Sequence, residues 1–266
     1  MSFLPRRFAR RLLPPLALSA VFCMPASATT PVQASRQLVV VTTPSWDATS
    51  GRLQAYERDA DGWQPHGEAF AVALGRGGSA WGIGLHPAQA AGPQKQEGDG
   101  RSPAGVFAIG EAFGYAPRID SRLAYRPMLE SSYCMDVPDS PLYNRIVDAD
   151  VVGSEAVEGS SEPMRLDLHN DGDRRYREGF VIGHNPGAEP GKGSCIFAHL
   201  WRQAGEATAG CTAMEPGHMD ALLGWLRPDA HPLFVLLPEA EYQRLRASWD
   251  LPAQAPQEQA AVAGRR

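Results

Sequence analysis

Short segments that are apolar, or that alternate apolar with polar residues, make up most of the chain and are separated by Gly- and Pro-rich turns. The runs that we interpret as strands are Gln37–Thr42, Arg52–Arg58, Glu68–Leu74, Trp81–Leu85, Gly105–Ile109, Phe180–Ile182 and Pro232–Leu237. Up to Ile182 no helical period is sustained. A composition with 27 Gly and 23 Pro also favours many short strands and turns over long helices. The pattern therefore predicts a mainly β fold of the β-rich α+β class.

Two helices are predicted late in the chain. Pro216 suits a first helical position. The apolar residues that follow it on one helical face are Met219, Leu222, Leu223 and Leu226. A second helix is predicted over residues 239–252, and residues 253–266, with Gln, Ala and Pro, predict a disordered tail. Because no repeat or sharp change of composition divides the chain, we interpret residues 37–238 as one domain.

The first 28 residues have the pattern of a secretory signal. Four arginines lie within Arg6–Arg11, the apolar stretch Leu12–Met24 follows, and Ala26–Ala28 supplies small residues in an A-x-A cleavage pattern. The apolar stretch is too short, and too broken by Pro14 and Pro15, to span a bilayer comfortably. Export with cleavage of this segment would deliver the protein to the periplasm with no stable membrane insertion. An uncleaved anchor is the alternative.

Charge excludes some partners. The full sequence carries a net charge of −5. Removal of residues 1–28 takes away four Arg and no acidic residue, which leaves 21 basic and 30 acidic residues and a net charge of −9. This balance argues against nucleic acid as a partner and against a polybasic contact with a membrane surface.

Three cysteines remain after export: Cys134, Cys195 and Cys211. An oxidising compartment favours one disulfide and leaves one thiol. If Cys211 is the working thiol, Cys134 and Cys195 form the natural pair. A bond between Cys195 and Cys211 would instead remove the nucleophile, and the sequence leaves both pairings open.

The pair His199 and Cys211 is the clearest candidate for chemistry. If Ser194–His199 is a strand, Cys195 shares a face with His199 but lies roughly 13 Å from it at about 3.3 Å per residue. The loop Thr208–Cys211 can fold back to supply the partner instead. A nearby imidazolium would stabilise the Cys211 thiolate and return the proton to a leaving amine.

The glycine before the cysteine adds to this interpretation. Gly210 allows an unusual φ and close backbone approach, so that amides around Cys211 can point at a developing oxyanion. The alternative is that Cys211 is a small buried apolar residue and His199 a core histidine with satisfied hydrogen bonds.

Two further readings involve the other histidines. A zinc site could draw its ligands from His169, His184, His199, His218, Cys195 and Cys211, but none shows the short paired spacing of familiar zinc sites. His184-Asn185-Pro186 opens a Gly- and Pro-rich loop. Either Asn185 bonds its own backbone in a turn, or His184 or Asn185 lines the cleft beside Cys211.

At Gly193–His199 and Thr208–Met214 the chain resembles the bacterial L,D-transpeptidase (YkuD-like) catalytic domain, in the branch with Thr-Ala-Gly-Cys at the nucleophile. Three other segments are similar to that branch, in the same order: Glu97–Phe107, Cys134–Asp148 and Arg177–Asn185. The similarity covers about residues 38–237. The commoner members carry Ser-His-Gly-Cys, so a second histidine is absent here, and His184 is a candidate to replace it in space.

The resemblance implies packed mixed β-sheets, no metal or organic cofactor, and peptidoglycan stem peptides as the partner. Cys211 would attack the carbonyl between a diamino acid and the terminal D-Ala and form a thioester, with His199 as general base and acid. The residues that would stabilise the oxyanion or bind substrate are Thr208, Gly210, His184 and Asn185.

Three alternatives remain beside the transpeptidase. An L,D-carboxypeptidase would hydrolyse the same bond with water. A non-catalytic peptidoglycan-binding module would carry an inert Cys211, and a zinc-dependent amidase would use the histidines.

Overall fold

A computed structural model describes residues 30–253 of the chain. Its strands are β1 (Gln37–Thr43), β2 (Ser50–Asp59), β3 (Gly62–Ala73), β4 (Ser79–Trp81), β5 (Ser102–Gly114), β6 (Tyr125–Pro127), β7 (Ser132–Cys134), β8 (Ile146–Asp148), β9 (Glu162–Pro163), β10 (Glu178–Ile182), β11 (Phe197–Leu200), β12 (Thr212–Met214) and β13 (Leu233–Pro238). Its helices are α1 (Pro31–Ala34), α2 (Ala149–Val152), α3 (Leu166–His169), α4 (Pro216–Trp225) and α5 (Glu239–Leu245), with 3-10 turns at Ser154–Val157 and Pro228–Ala230. The protein is mainly β, as the apolar runs predicted.

Eight of these strands close into a mixed barrel. Their order is β10-β11-β12-β3-β2-β1-β13-β5, and β5 pairs in turn with β10. Two neighbouring pairs, β1 with β13 and β11 with β12, are parallel, and the other six are antiparallel. The packed sheets that were expected are thus one sheet closed on itself, which leaves no free edge among these eight strands.

The continuous apolar runs of β1 and β13 follow from their position. Every residue of both strands is buried. One face of this parallel pair points into the barrel, and α5 packs against both strands. Strands covered on both faces lose the alternation of apolar and polar residues, and each fully buried Val or Leu contributes about 1.5–3 kcal/mol of transfer free energy.

A small three-stranded sheet stands beside the barrel, with the order β8-β7-β9. A disulfide between Cys134 on β7 and Cys195, two residues before β11, ties it to the barrel. The two Cα atoms are 5.9 Å apart. Of the two pairings that the sequence left open, this is the one present, and Cys211 is a free cysteine.

The late helices match the sequence pattern in part. Pro216 begins α4, and Met219, Leu222 and Leu223 are buried on its inner face. The second predicted helix, 239–252, is wrong in its end, because α5 stops at Leu245 and the chain continues in turns. The turns let the Trp249 ring stack on His86, with ring centroids 5.2 Å apart.

The structure also bears on the strand before Cys211, on the two chain ends and on membrane-spanning helices. The strand predicted over Ser194–His199 begins only at Phe197, because Cys195 has a left-handed φ of 54°. The signal sequence over residues 1–28 and all but the first residue of the tail 253–266 lie outside the described residues. None of the helices within residues 30–253 has the length and apolar character needed to cross a membrane.

Candidate active site

The loop before β12 holds Cys211 in a fixed backbone conformation. The Thr208 hydroxyl donates to the Cys211 carbonyl at 2.7 Å and accepts the Gly210 N–H at 3.1 Å. Gly210 has a φ of 155°, and a Cβ added there would lie 3.1 Å from the Arg101 carbonyl oxygen. The close approach predicted for this glycine is therefore present. The Thr208 side chain organises the loop from within, as a short polar side chain does in a turn.

The sulfur of Cys211 contacts backbone groups of the chain that leads into β11. The Phe197 N–H donates to Sγ at 3.3 Å, and the thiol faces the Cys195 carbonyl oxygen at 3.6 Å. The residue is 7 % exposed. Burial raises the pKa of the thiol to about 12, although the Phe197 N–H opposes this change. The resting sulfur is thus a neutral thiol at neutral pH.

His199 lies on β11, which runs parallel to β12, and Ala213 is its register partner. Its Nδ1 is 2.7 Å from the Leu200 carbonyl oxygen. Because a carbonyl only accepts, Nδ1 carries the proton and Nε2 keeps a free lone pair. Burial lowers the pKa of His199 to about 4, so that the ring is neutral at pH 7.

A cavity of about 550 Å³ brings the main candidates together. Its walls include Cys211, His199, Thr208 and Gly210. The hydrogen bonds of the Cys211 thiol and of His199 Nδ1 go to backbone groups and not to each other. The imidazolium–thiolate pair expected from the sequence is corrected to a neutral imidazole and a neutral thiol, because both groups are buried.

His184 and Asn185 do not join this cavity. The ring of His184 accepts the Ile83 N–H with Nδ1 at 3.3 Å and contacts the Lys192 carbonyl with Nε2 at 2.9 Å. Both ring nitrogens are therefore occupied by backbone partners, and burial lowers its pKa to about 4. His184 is a core histidine with satisfied hydrogen bonds. The expectation that it replaces the missing second histidine is not supported.

Asn185 is likewise a structural residue. It has a left-handed φ of 51°, and its side-chain Oδ1 accepts the Glu189 N–H at 2.9 Å. Its Nδ2 donates to the Glu189 and Gly193 carbonyls at 3.0 and 3.1 Å. Of the two readings from sequence, the turn is the one present, and it extends to holding the loop before Cys195.

Asn144 clamps the same loop from the small-sheet side. Its Oδ1 accepts the Cys195 N–H at 2.9 Å, and its Nδ2 donates to the His184 and Asn185 carbonyls, each at 2.9 Å. Next to it, the Ser194 hydroxyl donates to Glu97 at 2.7 Å. Segments far apart in sequence thus meet at the residues that contact the Cys211 sulfur.

Among the cavity side chains that the sequence does not single out are Glu162, Arg175 and Tyr176. The Tyr176 ring packs edge-on against the His199 ring, with centroids 5.2 Å apart, and its hydroxyl donates to Glu162 at 2.6 Å. The Glu162 carboxylate sits on β9 in a Ser- and Pro-containing stretch with no periodic pattern. Nothing in that stretch signals a site.

The six candidate zinc ligands do not form a metal site in the described part of the chain. Within residues 30–253, no group of three or more His, Cys, Asp and Glu side chains is arranged to hold a metal ion. His169 contacts the Glu130 carbonyl at 2.8 Å, and His218 stacks on Phe70 with centroids 3.8 Å apart. Cys195, Cys211, His169 and His199 line one cavity, whereas His184 and His218 lie outside it, and Cys195 is bound to Cys134. The zinc ligand set considered from the sequence is therefore not assembled among the described residues.

Compared with protein-family models, curated proteins and solved structures, the chain has no match in any of the three.

Proposed function

We propose that the protein is a periplasmic cysteine L,D-transpeptidase that acts on peptidoglycan stem peptides. The observation that carries the proposal is the meeting of a free Cys211 thiol and a neutral His199, with its lone pair on Nε2, in the wall of one cavity. The resemblance of Gly193–His199 and Thr208–Met214 to the L,D-transpeptidase catalytic domain gives the substrate class and the reaction.

The first half-reaction transfers the stem to the enzyme. As Sγ of Cys211 attacks the carbonyl before the terminal D-Ala, Nε2 of His199 takes the thiol proton. The C–N bond breaks, Nε2 returns that proton to the leaving amine, and a thioester remains. Because both groups are neutral at rest, the proton moves during the attack and not before it.

Backbone amides supply the electrostatic support. The Phe197 N–H already points at Sγ and stabilises the negative charge that the sulfur acquires when its proton leaves. The Gly210 N–H donates to Thr208, which leaves the Cys211 N–H as the nearest loop amide for the oxyanion. Thr208 and Gly210 then act by shaping the loop, and His184 and Asn185 by supporting the chain before β11.

A second candidate is a non-catalytic peptidoglycan-binding module. The observation that favours it is the burial of the Cys211 thiol, which raises its pKa to about 12 and keeps it unreactive at rest. An L,D-carboxypeptidase differs from the transpeptidase only in using water as the acceptor.

Product analysis separates these candidates. Protein purified from the periplasm of an expression host would be incubated with disaccharide tetrapeptides, and the products separated and weighed. The transpeptidase predicts free D-Ala and cross-linked dimers, both abolished by Cys211→Ala and unchanged by His218→Ala, which alters a half-buried histidine on α4 outside the cavity. Tripeptides alone indicate a carboxypeptidase. Retention of the tetrapeptide with no product indicates a binding module and contradicts the proposal.

A further inference from the structure

The small sheet contributes a carboxylate to the cavity that holds the thiol. Glu162 on β9 is the register partner of Cys134, whose disulfide partner Cys195 presents its carbonyl to the Cys211 sulfur at 3.6 Å. Glu162, Cys211 and His199 line the same cavity. Oε1 of Glu162 accepts the Tyr176 hydroxyl at 2.6 Å, and the Tyr176 ring packs against His199. Covalent and hydrogen-bonded links thus connect this carboxylate to the candidate pair within the wall of one cavity.

The surroundings of Glu162 allow its carboxyl group to gain or lose a proton near neutral pH. Burial raises the pKa of Glu162 to about 7; the Tyr176 hydroxyl lowers it, the charge of Asp136 adds to the rise, and Arg175 opposes it. The charge of Glu162 in turn raises the pKa of Cys211. The other charged side chains that line the cavity are Arg76, Lys95 and Glu97.

The second half-reaction has a proton requirement that His199 alone does not meet. A primary amine enters at neutral pH as an ammonium ion, which has no lone pair and cannot attack a thioester. It must lose one proton before it attacks and a second as the C–N bond forms. Nε2 of His199 can carry the second proton to the departing sulfur. The first proton needs another acceptor.

We propose that Glu162 binds the ammonium group of a primary-amine acyl acceptor and takes its first proton. The inference rests on the proposed function and names the acceptor as an amine. Proton transfer gives a free amine and a carboxylic acid on Glu162. The amine nitrogen then forms the new amide bond as the C–S bond breaks, and its second proton passes through His199 to Sγ, which restores the thiol. Glu162 finally releases its proton to solvent.

The test separates formation of the acyl-enzyme from its resolution. The donor is a disaccharide tetrapeptide, and the acceptor is a stem tripeptide whose only free amine is the side-chain amine of its diamino acid. Rapid-quench mass measurement follows the acyl group on Cys211, and product analysis gives the ratio of cross-linked to hydrolysed stem.

In Glu162→Gln we expect acylation within about threefold of the wild-type rate and a cross-link to hydrolysis ratio about tenfold or more lower at pH 7.5. The ratio should recover as the pH rises to 9.5, because the acceptor then supplies its own free amine. Glu158→Gln, an exposed carboxylate outside the cavity, is the matched control and should leave the ratio unchanged.

Tyr176→Phe should shift the pH dependence of cross-linking, which would not change if Glu162 had only a structural role. The variant keeps the ring against His199 but removes the hydroxyl that stabilises the Glu162 carboxylate. The pKa of Glu162 should rise, and the pH midpoint of cross-linking should move to higher pH while acylation is retained.

The outcomes are distinct. An unchanged ratio in Glu162→Gln, or an equal loss of acylation and cross-linking, overturns the role of Glu162. Wild-type acyl-enzyme that only water resolves overturns this inference while the acylation chemistry stands. Absence of any acyl group on wild-type Cys211 removes the proposed function and this inference with it.

Discussion

The backbone N–H of Phe197 donates to the sulfur of Cys211, with nitrogen and sulfur 3.3 Å apart. This contact joins the first residue of β11 to the residue that precedes β12, two strands that run parallel in the barrel. It stabilises a thiolate, yet burial has the larger effect and raises the pKa of the thiol to about 12. In the proposed reaction this contact would therefore stabilise charge that develops on the sulfur, whereas the resting thiol is neutral.

The pH dependence of thiol alkylation tests this description. With a thiol pKa of about 12, the rate of Cys211 alkylation by iodoacetamide should rise about tenfold per pH unit between pH 7 and pH 11. Peptide mass mapping after quenched time points gives the rate, and Cys134 and Cys195 serve as unreactive internal controls because they are disulfide-bonded. A rate that is already constant below pH 7 would indicate an imidazolium–thiolate pair and contradict the neutral pair.

Acid stability should depend on His184. Burial lowers the pKa of His184 from 6.5 to about 4, so the folded state excludes a proton that the unfolded chain accepts. The stability from this group is fully present above pH 6.5 and is lost as the pH falls toward 4, by about 3 kcal/mol at most. Urea unfolding of wild type and His184→Gln at pH 7.5 and 4.5 measures the effect.

The variant lacks the titrating ring, so its stability should fall less over this pH range, even if it starts lower. Glu162 titrates in the opposite sense, because its raised pKa favours the folded state at low pH, but it does so equally in both proteins. Equal losses in wild type and variant would disagree with the assignment of His184 as a buried neutral residue.

The disulfide should stabilise both the fold and the site. Cys134 and Cys195 are 61 residues apart, and closing a loop of that length in the unfolded chain contributes about 4 kcal/mol in the chain-entropy model. Cys134→Ser/Cys195→Ser should lower the free energy of unfolding by about 2–4 kcal/mol and slow acylation of Cys211. The double variant is preferred, because Cys134→Ser alone frees a thiol beside Cys211.

The disulfide prediction is checked by urea unfolding and by the acylation rate at a temperature where both proteins are folded. Normal stability and normal acylation in the double variant would mean that the disulfide supports neither.

Asn144 should be needed for the backbone before β11. Its side chain makes three hydrogen bonds to the Cys195, His184 and Asn185 backbone, and its own φ is 60°. Asn144→Ala loses all three bonds and strains the left-handed backbone, so we expect a loss of about 2–4 kcal/mol in unfolding free energy. Asn144→Asp keeps the acceptor for the Cys195 N–H and should lose less. Equal stability of the alanine variant and wild type would show that the clamp is dispensable.

Local sequence patterns predicted the mainly β class and some of the residues that line the candidate cavity. The apolar runs of β1 and β13 and the Pro216 start of α4 are set by neighbours in sequence, and they could be recognised there. The extent of α5 could not, because it depends on Trp249 meeting His86, a residue far away in the chain. Barrel closure depends in the same way on the pairing of β5 with β10.

The same difference between local and distant contacts applies to the side chains of the candidate site. Cys211 and His199 lie in segments that can be recognised in the sequence. Gly210 lies beside them, and its backbone conformation and close approach to Arg101 suit a glycine. His184 could not be assigned from sequence, because its ring partners are backbone groups of Ile83 and Lys192. Glu162 could not be assigned either, because its place in the cavity depends on elements that are distant from it in the chain.

Mass measurement of the acyl-enzyme tests the central claim most directly. Wild-type protein mixed rapidly with a disaccharide tetrapeptide should gain the mass of the donor less D-Ala, and peptide mapping should place that mass on Cys211. The adduct should be absent in Cys211→Ser and form about 100-fold more slowly in His199→Gln. No adduct on the wild-type protein, or an adduct that persists in Cys211→Ser, would contradict the account.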